Sequence, residues 1–265
     1  MNYWILLLTS LTLYLIPCLS LLSNIKSISH QANRTFIGLG LFAHATFIYT
    51  TTFTQGINLD FSNTFLIITW VIVSFFWIIN KRTALNGLEF FTLVPTVFII
   101  LLHPFIYQEH YVAQHLSIQA ISHILIAMVS YGLLTFGAIF SFFLLLFEKN
   151  LHNHSLSPKI LSSDESLLSM EIILFKIYWI GFLLLTITLI SGLIFSNNIF
   201  GSALVWNHKL IFSIMAWLIY AWMLIGRMLY GWRGKKTVTI SLVAFIFLFL
   251  SYLGTKFVLE ILLNQ

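Results

Sequence analysis

The chain has 265 residues, of which 59% are hydrophobic and 8% charged, with a formal net charge of +5 and a mean hydropathy of +0.96. Soluble domains carry about 25% charged residues, so these figures exclude a water-exposed surface over most of the molecule and indicate an integral membrane protein. The apolar runs are each about 20 residues long, enough to cross a ~30 Å hydrocarbon layer as helices, whereas barrel strands alternate over about 10. The expected fold class is therefore all-α, a bundle of transmembrane helices.

In chain order, eight spans are predicted at roughly 3 to 23, 36 to 54, 63 to 80, 88 to 106, 116 to 147, 172 to 195, 209 to 229 and 238 to 260. The first starts at Tyr3 with no basic stretch and no small-residue cleavage site, so it reads as a retained helix. Its Cys18 is the single cysteine, which removes an internal disulfide and a CxxC thiol pair. The second span carries His44 some 13 Å deep by helical rise, satisfied by a neighbouring helix or used as a ligand. In the fourth, Glu89 reads as a polar anchor at the interface rather than as lining an inner cavity. His103, ahead of Pro104, closes that span, and His110 and His115 follow, all read as interfacial or solvated, with any of them able to substitute as a ligand. The fifth span carries His123 and, at about 48 Å, is too long for a bilayer, so Glu148 and Lys149 are expected in water. Residues 148–170 then form a polar linker whose His152 and His154 are too few for a metal site. No soluble domain interrupts the bundle, and residues 1–265 read as one transmembrane domain.

Lys and Arg set the orientation. Lys26, Arg34, Lys81, Arg82, Lys149, Lys159, Arg233, Lys235 and Lys236 follow spans one, three, five and seven, while Lys209 is nearly alone on the other side. Positive-inside bias puts the first group in the cytoplasm and both termini outside, in the periplasm of a Gram-negative host. The net charge thus reflects topology and contact with anionic lipid, and gives no reason to invoke nucleic acid. No Walker loop, GxGxxG fingerprint or HExxH helix is present. The absence of an internal repeat weakens a transporter reading.

Residues 205–236, VWNHKLIFSIMAWLIYAWMLIGRMLYGWRGKK, set Trp206, His208 and Lys209 at the mouth of the seventh span and end it in a basic cluster. Intramembrane ionisable groups are functional candidates. His123 and His208 open their spans from the same side, and haem iron readily takes two axial imidazoles within an apolar, aromatic slot. Trp206, beside His208, is a candidate lining residue, although interfacial tryptophans are common without a ligand.

The succession of His44, then His123 followed by Ser130 and Tyr131, then VWNHK leading into AWLIYA and closing with GWRG, resembles the cytochrome c assembly proteins of the CcsA and CcmC type. The likeness covers most of the chain and is greatest to the small YpjD-like inner-membrane branch, through HKLIFSIMAWLIYA, YGWRGKK and YLGTKFVLEIL. It implies a multi-pass protein of the bacterial inner membrane that holds or conducts haem, here read as haem b, and presents it outside for attachment to apocytochrome c. It also implies that His123 is the outer haem-ligating His and His44 the transmembrane His, with the bilayer and other biogenesis membrane proteins as partners. Where the family reads WDPKE, Asn207, His208 and Leu210 replace Asp, Pro and Glu. Ile225 stands where the synthases place a second transmembrane His, and no outer His follows the last span. These losses argue against a complete haem lyase, while His208 offers a replacement ligand. A scaffold that keeps the fold without haem is the alternative, and a small-molecule transporter a more distant one.

Overall fold

A computed structural model describes residues 3–22, 29–54, 56–81, 85–107, 118–152, 166–195 and 208–251. Among these lie eight α-helices: α1 (Tyr3–Leu22), α2 (His30–Thr52), α3 (Phe61–Ile79), α4 (Asn86–Ile106), α5 (Ile118–His152), α6 (Leu167–Ile194), α7 (His208–Tyr230) and α8 (Lys235–Phe249). Six of them, all but α2 and α8, are long and apolar enough to cross a membrane. Large apolar side chains such as Trp4, Leu8, Leu15 and Leu19 of α1 remain exposed while Leu7, Leu11, Tyr14 and Cys18 are buried. A helix apolar on every side suits lipid on one face and protein on the other.

Two helices differ usefully from the sequence expectation. The second begins about six residues earlier, because Ser29 caps it by accepting from the Ala32 amide at 3.2 Å, which draws Asn33 and Arg34 into the helix. The fifth runs 35 residues, about 52 Å, and ends at His152, so the first five residues of the expected linker at 148–170 belong to the helix.

The chain forms two compact units. The first holds residues 1–112 and 143–170, the second 113–142 and 171–265, so α5 contributes to both. In the first unit α1 packs on α2 and α4, and α3 on α2 and α4, giving a ring of four helices. Neighbours alternate in direction: Trp77 near the end of α3 donates to the Arg34 carbonyl near the start of α2 at 2.9 Å. At the other end Asn63 of α3 donates to the Thr51 carbonyl of α2 at 3.3 Å. Helices α1 and α2 approach closely at Gly40, where a Cβ would stand 2.6 Å from the Tyr14 ring. Small residues at such crossings are the usual device of membrane bundles, since lipid removes the hydrophobic drive between helices.

In the second unit hydroxyl groups join the helices. Ser141 of α5 is 2.8 Å from the Tyr178 hydroxyl of α6 and 3.2 Å from Ser241 of α8. Tyr131 of α5 meets Ser251, just beyond α8, at 2.6 Å. At one end Glu171 accepts from the Gly234 amide at 2.7 Å and pairs with Arg227 at 3.8 Å. The Arg227 guanidinium also sits 3.5 Å above the Phe175 ring. That cluster ties the basic turn between α7 and α8 to α6.

Candidate functional site

Helix register in the second unit determines which groups can meet. Along α5 and α6 the contacts Gly137–Tyr178, Leu134–Gly181 and His123–Gly192 follow one antiparallel register. Along α6 and α7 the contacts Glu171–Arg227 and Tyr178–Tyr220 keep one antiparallel register, and the contact of the long Trp217 side chain with Thr186 is displaced from it by about one turn. Continued past Thr186, these two spacings bracket the first turn of α7 opposite Ser191, the turn that carries His208 and Lys209. His123 Nδ1 lies 2.8 Å from Ser191 Oγ, and the Lys209 ammonium lies within electrostatic reach of the same imidazole.

His123 is half-buried, with the Cε1 edge of its ring resting on Gly192, where a Cβ would come within 3.1 Å. Nδ1 is engaged by Ser191, and Nε2 has no hydrogen-bond partner among the described residues. An imidazole anchored through one nitrogen and open at the other is arranged as metal-ligating histidines are. His208 opens α7 and is exposed. Trp206 lies outside the described residues, as do His110, His115 and His154.

His44 belongs to the first unit and is 0% exposed. Its Nδ1 is 3.4 Å from the Tyr14 hydroxyl, while its Nε2 is buried with no partner. A buried polar atom without a partner costs roughly 1–3 kcal/mol, so the group is suited to a ligand or a water molecule. No cluster of three or more His, Cys, Asp or Glu side chains able to hold a metal ion occurs among the described residues.

His103 departs from expectation. It is 1% exposed, in a polar network that joins four helix ends. Asn63 donates through Nδ2 to the carbonyls of Thr51 and Asn58, at 3.3 and 3.2 Å, so its Oδ1 must accept. His103 Nε2 then donates to that oxygen at 3.1 Å, and Nδ1 accepts from the Tyr3 hydroxyl at 2.8 Å. Phe47 packs edge-on against the Tyr3 and His103 rings. Both nitrogens are thereby used, which leaves no lone pair for a metal. Below the network, Asp60 is 0% exposed and caps α3 through the amides of Ser62 and Asn63.

Glu89 also turns inward. It is 1% exposed, with Oε1 lacking a partner, so the buried reading replaces the interfacial anchor. Sequence reasoning missed Ser191 and Gly192 as well. A signal existed, since a glycine inside a helical run costs about 1 kcal/mol relative to alanine and implies a packing reason.

A family model described as Cytochrome C assembly protein matches residues 34–263. The protein named cytochrome c biogenesis protein CcsA from Chlamydomonas reinhardtii is 31% identical over 139 residues, 52% of this chain and 38% of that relative. Inner membrane protein YpjD of Escherichia coli K12 is 31% identical over 140 residues, 53% of this chain and 52% of its own length. CcsA of Prochlorococcus marinus NATL1A is 28% identical over 163 residues, 51% of each. The matched stretches thus span about half the length of these relatives or less. No solved structure matches the chain.

Proposed function

Because the chain belongs to the cytochrome c assembly protein family, we propose that it binds or handles haem in a bacterial inner membrane for cytochrome c biogenesis, without being a complete haem lyase. By the distribution of Lys and Arg, both termini and the His123 end of the second unit face the periplasm. The single observation that carries the reading is His123, held through Nδ1 with Nε2 left open, on the level where helix register brings the first turn of α7. Haem, when bound, supplies an iron with two axial positions and two carboxylates on its rim. His123 and His208 would hold the iron through their imidazoles. Lys209, in electrostatic reach of His123, offers a cation to a carboxylate. His44, with its orphaned Nε2, would be a second ligation point in the first unit.

The substitutions around Trp206 argue that the protein holds haem b as cargo or prosthetic group for other biogenesis membrane proteins, while the bond-forming step belongs to those partners. The test is the absorption spectrum of protein purified in detergent and supplemented with hemin. A Soret band of two-imidazole type is expected, and it is lost in the His123→Ala, His208→Ala double variant. Absence of the band in the wild type, or an unchanged band in the double variant, rejects the reading and leaves the scaffold that keeps the fold without haem.

A further inference from the structure

Ser191 Oγ lies 3.1 Å from the Thr188 carbonyl, a group that can only accept, and a serine that donates its one proton there has only lone pairs left for other neighbours. The same oxygen stands 2.8 Å from His123 Nδ1, where in that arrangement it acts as acceptor. We infer that Ser191 is a positioning residue that holds His123 as the Nδ1–H tautomer, which keeps the lone pair of Nε2 free for iron. In the other tautomer Nε2 carries the proton and cannot ligate.

The surroundings favour this assignment. Gly192 lets the edge of the ring lie against α6, because any side chain there would meet Cε1, and the ring is thus held in orientation as well as in protonation state. Ser130, two turns farther along α5, donates to the Gly181 carbonyl of α6 at 3.1 Å, which pins the two helices in the register that the His123–Ser191 contact needs. Ligating histidines generally donate their other ring N–H to a fixed acceptor, and removal of that acceptor weakens metal binding by about 10- to 100-fold.

The identity of the ligand rests on the haem reading; the tautomer does not. The test therefore has two arms. In the first, apo-protein carrying 15N-labelled histidine is examined by solid-state NMR, with the His123 signals identified by their loss in His123→Phe. The wild type is expected to show a protonated Nδ1 and a bare Nε2, Ser191→Ala to shift the proton toward Nε2, and Ser191→Thr to restore the wild-type pattern. In the second, hemin is titrated into each protein and the Soret band followed. Ser191→Ala should weaken binding by about 10- to 100-fold, and Ser191→Thr should rescue it.

A protonated Nε2 in the wild type, or a tautomer unmoved by Ser191→Ala, overturns the inference. So does hemin binding unaffected by Ser191→Ala. A wild type that binds no hemin while its tautomer answers to Ser191 would instead reject the haem reading and uphold the positioning role. A purely structural serine would alter stability without moving the 15N pattern.

Discussion

His103 in the first unit and His123 in the second are both membrane histidines close to a helix end, yet their second nitrogens differ. His103 gives one nitrogen to Asn63 and the other to Tyr3, and Asn63 is itself fixed by two carbonyls. His123 gives one nitrogen to Ser191 and leaves the other without a hydrogen-bond partner among the described residues. The difference teaches that the role of such a histidine is decided by what its neighbours leave over, more than by depth or side-chain type. A satisfied imidazole holds helices together, and a half-satisfied one is available for chemistry.

The contrast is most strongly tested at His103. His103→Leu strands the Tyr3 hydroxyl and the Asn63 oxygen; at about 1–3 kcal/mol for each unpaired buried group, tempered by the modest worth of such bonds in lipid, about 2 kcal/mol of stability should be lost. Thermal unfolding in detergent should record that loss while hemin content per folded protein stays unchanged. A fall in hemin content at full stability would make His103 a ligand and erase the distinction. Next comes Asp60→Ala, which removes the α3 cap and should cost about 1 kcal/mol in the same assay, again without a change in the hemin spectrum. Equal stability would show that the network beneath His103 does not depend on its cap. The smallest effect is expected at Gly192→Ala. Alanine favours the helix by about 1 kcal/mol, so stability should hold or rise, while the Cβ at 3.1 Å from Cε1 nudges the ring. Hemin affinity should fall only about threefold, roughly 0.7 kcal/mol; no fall would mean that the ring yields freely and that Ser191 alone sets its position.

Much of the fold was legible because lipid imposes a simple rule, a long apolar run for each crossing, and the helices fall close to the apolar runs. The family kinship was equally readable, since it depends on short contiguous patterns. What escaped was the set of contacts between helices. The His103 network draws on Tyr3, Thr51, Asn58, Asp60, Asn63 and Tyr107, residues scattered with His103 over α1 to α4 and their flanks, and no local pattern unites them. Glu89 was read as interfacial because charge at a helix start usually is, whereas its side chain turns inward. Ser191 and Gly192 looked like a weak point in an apolar helix until His123 was seen to lie against them.

Gly40 has an evolutionary consequence. Its missing side chain is the space that the Tyr14 ring occupies, and Tyr14 is the hydroxyl beside His44. A lineage that gains even a methyl group at position 40 must first give up the phenol at position 14, and with it the neighbour of the buried imidazole. Glycine at 40, tyrosine at 14 and histidine at 44 should therefore be inherited or lost together, so that in any relative the glycine tells whether the surroundings of the buried histidine have been kept.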